Sequence, residues 1–162
     1  MLEQHKETVA VFAGTFDPFT CGHENIVRRA LPFFSKIIIA IGENSTKNCL
    51  FQLEKRIFLI NKAFTDCKKI EVCSYRGLTV DFCKQQNVNI IIRGLRNSSD
   101  FENEQIIAQV NKYLYNNIET FFLTTNPEYS FVSSSVFREI YKNGGNISAF
   151  LPTNISVEDI KL

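Results

Sequence analysis

The sequence predicts an α/β fold on a doubly wound parallel sheet, and three observations carry that expectation. Short apolar runs alternate with longer amphipathic segments along the 162-residue chain. Most of the runs are dense in Ile, Val or Phe, the pattern of strands covered on both faces. Polar groups suited to phosphate recur just after the runs, and open α/β sheets bind ligands beyond the carboxyl ends of their strands, where the strand order reverses.

Five strands are predicted, over residues 8–13, 36–42, 69–74, 88–93 and 118–124. Between them, helices are predicted over residues 24–34, 53–65, 79–86 and 100–114. A further helix is expected over 134–143, stopped by Gly144-Gly145. In the second helix Leu53, Ile57, Ile60 and Phe64 share a face. In the fourth, Ile106, Ile107, Val110, Tyr113 and Leu114 form an apolar stripe, with Glu104 just beyond its edge, facing either a pocket or solvent. Strand–helix alternation implies right-handed crossovers. The expected architecture is a Rossmann-like, five-stranded parallel sheet with helices on both faces, in one domain over residues 1–162. Residues 152–162 are expected to form a short packing helix.

The formal net charge is +1, from 18 Lys and Arg against 17 Asp and Glu, so no global field points to nucleic acid or a membrane surface. The longest clean apolar run, residues 37–41, is far too short to span a bilayer. No signal peptide is read in the polar residues 1–8. Five cysteines without CxxC spacing read as free thiols of a cytoplasmic protein.

Chemistry concentrates first in Gly14-Thr15-Phe16-Asp17-Pro18-Phe19-Thr20-Cys21-Gly22-His23. Strand, tight turn and helix start make a phosphate cradle, because the helix N-terminus presents unpaired N–H groups and the positive end of its dipole. Gly22 lets the backbone approach a ligand, and His23 can donate to it. Neither GxGxxG nor GxxxxGK[ST] occurs, which argues against a typical dinucleotide dehydrogenase or a P-loop enzyme. Lys47 follows the second strand, Arg93-Gly94-Leu95-Arg96 ends the fourth, and Tyr129-Ser130-Phe131-Val132-Ser133-Ser134-Ser135 with Arg138 follows the fifth. One imidazole, several cations and several hydroxyls on one rim suit a polyphosphate. Each has a plainer reading. His23 alone reads equally as an exposed helix residue, Lys47 as a solvated loop lysine, Ser133 to Ser135 as a helix cap, and Asp17-Pro18 as turn chemistry. Arg93 is harder to set aside, since it ends the apolar run Ile90-Ile91-Ile92 and a buried arginine needs an anionic partner.

These residues resemble a known superfamily. Gly14-Thr15-Phe16-Asp17-Pro18 with Thr20-x-Gly22-His23 is similar to the T/HxGH signature of the nucleotidylyltransferases, and Val132-Ser133-Ser134-Ser135-x-x-Arg138 to their ISSTxxR signature. Ile92-Arg93-Gly94-Leu95-Arg96 followed by Asp100-Phe101-Glu102-x-Glu104 narrows the likeness to the bacterial phosphopantetheine adenylyltransferases. The resemblance implies transfer of the adenylyl group of ATP to 4′-phosphopantetheine, giving dephospho-coenzyme A and pyrophosphate, with Mg²⁺, in a cytoplasmic homohexamer. It implies catalytic roles for His23, Thr15, Lys47 and Arg96. ATP would be bound by Thr15, Phe16, His23, Gly94, Leu95, Arg96, Glu104 and the run from Tyr129 through Ser130, Phe131, Val132, Ser133 and Ser134 to Ser135. Phosphopantetheine would be bound by Thr15, Lys47, Thr79 and Arg93. Asn48, Thr79, Asn103 and Tyr129 depart from the residues common in that family.

Overall fold

The computed structural model describes residues 8–43 and 48–161. Five parallel strands, β1 (Val9–Gly14), β2 (Lys36–Glu43), β3 (Ile70–Arg76), β4 (Ile90–Leu95) and β5 (Glu119–Thr124), form a sheet in the order β3-β2-β1-β4-β5. The order reverses between β1 and β4, and there the ladder is shortest, with Val11 opposite Ile91 and Phe12 opposite Ile92. Alternate residues of the central strands build two cores. On one face Ala10, Phe12, Ile37, Ile39, Ile41 and Ile92 meet α1 (Cys21–Ala30), α2 (Leu53–Ala63) and α5 (Ser134–Lys142). On the other, Val11, Ala13, Ile38, Ala40 and Ile91 meet Phe82 and Cys83 of α3 (Thr79–Gln85). α4 (Ser98–Leu114) lies along β4 and β5 on that second face.

The predicted elements are all present, with instructive differences at their edges. β3 and β5 are half-exposed rather than covered on both faces, because they are the edge strands. α1 begins at Cys21, and its predicted last turn is instead a 3₁₀ turn over Leu31–Phe33, since Pro32 has no N–H with which to continue the α-helix. The apolar stripe of α4 is not covered by any of the described residues: Ile106 is 61%, Val110 51% and Tyr113 89% exposed, and the helix buries no residue. The tail packs down as expected, with Ile155 and Ile160 in the core and α6 over Val157–Ile160. All five cysteines are free thiols. No helix among the described residues is long and apolar enough to cross a membrane.

Candidate active site

Beyond Phe12 and Ile92 the chains of β1 and β4 part, and two cavities of about 480 Å³ each open at their carboxyl ends. Ala13, Gly14, Thr15 and Arg93 line both. The first cavity runs over the start of α1 and reaches Arg96, Glu104, Ser133 to Ser135 and Arg138. The second runs toward β2, β3 and the start of α3, past Glu43, Tyr75 and Thr79. Thr15 therefore stands at a junction between two compartments at the switch point of the sheet.

The turn at the junction is tightly determined. Phe16 has a left-handed backbone, φ +49°, which a bulky side chain rarely adopts. Its ring lies back over Gly14, where a Cβ would meet it at 2.8 Å, so a larger residue at position 14 would force the ring to shift. The Phe16 ring also forms one wall around His23, with ring centroids 5.2 Å apart; Phe19 stands at 5.2 Å and Phe12 at 6.2 Å.

His23 is the third residue of α1 and caps its own helix. The backbone N–H of Thr20 donates to His23 Nδ1 at 3.0 Å, with the Thr20 hydroxyl 2.9 Å from the same nitrogen. A backbone amide can only donate, so Nδ1 is the acceptor and the proton of the neutral ring sits on Nε2. Burial among the phenyl rings, and then the charges of Arg96 and Arg93, lower its pKa to about 4. At neutral pH His23 is thus an uncharged N–H donor at the first cavity.

Two carboxylates one turn apart on α4 hold the two arginines of the β4 motif. Asp100 takes the Arg96 guanidinium on both oxygens, at 2.9 and 3.1 Å, and accepts the Arg96 backbone N–H at 3.0 Å. Arg96 keeps the Asp100 carboxyl below its ordinary range. Glu104 grips Arg93 side-on, Nε to Oε2 at 2.6 Å and Nη2 to Oε1. Arg93 Nη1 donates across the opening to the Ala13 carbonyl at 2.7 Å. Of the five N–H groups of a guanidinium, one on each terminal nitrogen remains for a ligand.

At the start of α5, Ser133 accepts the Val136 N–H as the helix cap. Ser134 donates to the Pro18 carbonyl at 2.8 Å. Arg138 donates to the Asp17 carbonyl at 2.7 Å and to Ser135 Oγ at 3.3 Å. These bonds tie the serine run to the first turn, and all four side chains line the first cavity.

With this geometry in place, comparison with known proteins is decisive. The sequence matches the cytidylyltransferase-like family over residues 11–140. It is 48% identical over 147 residues to the phosphopantetheine adenylyltransferase of Cytophaga hutchinsonii, covering 91% of this chain and 98% of that protein. The enzyme of that name from Leptospira biflexa is 47% identical over 146 residues, covering 90% and 91%. This chain belongs to the phosphopantetheine adenylyltransferase family. Among solved structures, the bifunctional NMN adenylyltransferase/ADP ribose pyrophosphatase of Francisella tularensis superposes with a TM-score of 0.71 at 18% identity, a likeness of fold. The match covers 93% of this chain but 46% of that one, so this chain spans under half the length of that protein.

Most residues that the family resemblance singled out converge here. Thr15, Phe16, His23, Gly94, Arg96, Glu104, Val132 and Ser133 to Ser135 line the first cavity, Thr79 the second, and Thr15 and Arg93 both. Leu95, Tyr129, Ser130 and Phe131 do not line either; Phe131 is 58% exposed, its ring against Phe150. Lys47 lies outside the described residues. Thr79 shares a 2.7 Å hydrogen bond with the Tyr75 hydroxyl, a polar pair on the wall of the second cavity. The sequence reading gave no pairing for Asp100 or Thr20, though both stand in its motifs, and missed Arg56 altogether. Asp100 was legible in its i,i+4 spacing from Arg96. Arg56 falls in the buried stripe of α2, spaced with Leu59, Ile60 and Ala63, yet an arginine is read by default as solvated. Thr20 lies in the motif itself, and only the folded turn shows it holding His23.

Proposed function

We propose that this phosphopantetheine adenylyltransferase family member carries out the reaction of the family name. It transfers the adenylyl group of ATP to 4′-phosphopantetheine, producing dephospho-coenzyme A and pyrophosphate. The observation that carries the reading is the pair of cavities joined at Thr15 and Arg93. One compartment holds His23, Arg96 and Arg138 for a triphosphate, and the other is a channel toward Thr79 and Tyr75 for an extended arm. The acceptor phosphate at the junction attacks the α-phosphorus of ATP; a bond forms from its oxygen to that phosphorus, and the bond to the bridging oxygen of pyrophosphate breaks. The nucleophile is already an anion, so no general base or covalent intermediate is required. Alignment and charge stabilisation carry the rate. In this reading Arg93, with Lys47, holds the acceptor phosphate. Neutral His23 donates its Nε2 proton as a hydrogen bond to the oxygens that gain charge.

Mg²⁺ fits this donor set as a companion of ATP. The carboxylates lining the first cavity other than buried Asp17, namely Asp100 and Glu104, are both committed to arginines, which leaves phosphate oxygens and water as ligands. Bound there, the ion would offset charge on the leaving pyrophosphate. A homohexamer in the cytoplasm is the accompanying proposal. The uncovered stripe Ile106, Ile107, Val110, Tyr113 and Leu114 supports self-association, since monomers seldom leave such a continuous apolar face in water.

Pyrophosphate release from ATP plus 4′-phosphopantetheine tests the reaction. Release that depends on phosphopantetheine is expected. Release with nicotinamide mononucleotide and none with phosphopantetheine would overturn the acceptor.

A further inference from the structure

Four polar or charged side chains are buried among the described residues: Asp17, Thr20, Glu24 and Arg56. Thr20 holds His23, and Glu24 fastens Arg28 and Thr153. Asp17 and Arg56 converge on the turn after β1. Arg56, in the first turns of α2, donates from Nη1 to the Thr15 carbonyl at 2.7 Å and from Nε to the Phe51 carbonyl at 3.1 Å. Asp17 accepts the backbone N–H groups of Leu50 and Phe51 at 2.7 and 2.8 Å. Arg138 pins the Asp17 carbonyl.

The carbonyls on either side of Phe16 are thus each held by an arginine, one from α2 and one from α5. Left-handed backbone at a bulky residue is strained and persists only where its surroundings over-determine it. The residue so held supports the ring wall of His23, and the residue before it is Thr15, shared by both cavities. Arg56 itself lines neither cavity.

We propose that Arg56 is a positioning residue for adenylyl transfer, acting by pinning the Thr15 carbonyl and so holding both the junction between the cavities and the Phe16 wall of His23. The inference rests on the transfer reaction proposed above. A planar fork with fixed donors suits two carbonyls from separate segments, and it is less mobile than a lysine ammonium. Asp17 completes the clamp by fixing the segment before α2 to the same turn, so α2 cannot shift without carrying Thr15 with it.

The test compares wild type, Arg56→Met and Arg56→Lys in two ways. One readout is kcat and KM from pyrophosphate release. The other is an NMR titration of the His23 imidazole, read against His5, the other histidine of the chain. Arg56 is not among the charges that depress the His23 pKa, so a change there reports the turn and not a lost charge. In Arg56→Met, kcat is expected to fall by roughly 10²-fold, the loss associated with about 1 Å of misplacement. KM is expected to change far less, and His23 to titrate above its value of about 4. Arg56→Lys is expected to recover part of both. A folded Arg56→Met with kcat within threefold of wild type and an unmoved His23 would overturn the proposal. If the methionine variant does not fold, Arg56→Lys decides: reduced kcat at native melting temperature supports the role, and full kcat overturns it. If wild type fails to use phosphopantetheine, the transfer reading falls, while the His23 titration still judges Arg56.

Discussion

Glu104 of α4 grips Arg93 of β4 side-on, through two hydrogen bonds, while Arg93 bridges the parted strands to the Ala13 carbonyl. The two groups expected on opposite sides of the site, one toward ATP and one toward phosphopantetheine, are partners of each other. Three of the five guanidinium N–H groups are spent on fixing the orientation of Arg93, and the remaining two face the ligand question with their rotamer already chosen.

Arg93→Ala is expected to weaken phosphopantetheine more than ATP, measured by calorimetry with each ligand separately. Larger weakening of ATP would reassign Arg93 to the nucleotide. Glu104→Gln, which replaces one acceptor oxygen with a competing donor, is expected to raise the KM for phosphopantetheine roughly tenfold, on the scale of about 1.5 kcal/mol for a hydrogen bond to a charged group. An unchanged KM would mean that Arg93 needs no orienting partner.

Removing the His23 side chain as His23→Ala is expected to lower kcat by roughly 10²–10³-fold with the fold intact, the usual loss for one transition-state donor. A folded variant with near-wild-type turnover would remove His23 from the chemistry.

The same residue sets an acid limit on stability. Its folded pKa, about 4, lies below the ordinary 6.5, so between these values the unfolded chain binds more protons than the folded one. Stability from this group is complete above pH 6.5 and drains away as the pH falls toward 4. Urea unfolding at pH 7 and pH 4.5 is expected to show wild type losing roughly 2 kcal/mol more than His23→Asn. Equal losses would show that the ring is not held neutral.

Two glycines in the first motif are expected to respond differently. Gly14→Ala drives a Cβ to within 2.8 Å of the Phe16 ring and is expected to cost about 1–3 kcal/mol, read as a lower melting temperature. At Gly22 a Cβ would meet Val132 at an ordinary 3.5 Å, and the position is helical. Gly22→Ala is therefore expected to fold as well as wild type and to show a raised KM for ATP, because Gly22 lines the first cavity and a methyl adds bulk where a phosphate would approach the helix start. Unaltered kinetics would mean that no phosphate approaches that backbone.

Val110→Asp places a charge in the uncovered stripe of α4. If the proposed homohexamer forms through this face, sedimentation is expected to show the variant as smaller species that remain folded. A variant sedimenting like wild type would locate self-association on another surface.

What the sequence determined by itself was the sheet and the gathering of candidate polar residues at the carboxyl ends of its strands. Apolar runs and helical spacing are local signals, and burial of those runs leaves few alternatives, so all five strands and the five main helices were legible. The motif from Gly14 to His23 and the Arg93 to Arg96 segment marked the candidate site because each packs its polar groups into a few residues. The α4 stripe was also legible, but spacing says only that a face is apolar, not whether the same chain covers it. The tertiary structure alone decided which charge meets which. That Glu104 holds Arg93, and that Arg56 reaches back 41 residues to Thr15, depends on separate elements arriving within 3 Å, and that Thr20 sets the proton of His23, three residues on, depends on how the turn between them folds. Hydrogen bonds of that kind leave no periodic trace in the chain, because a polar side chain carries the same letter whether it is solvated or clamped.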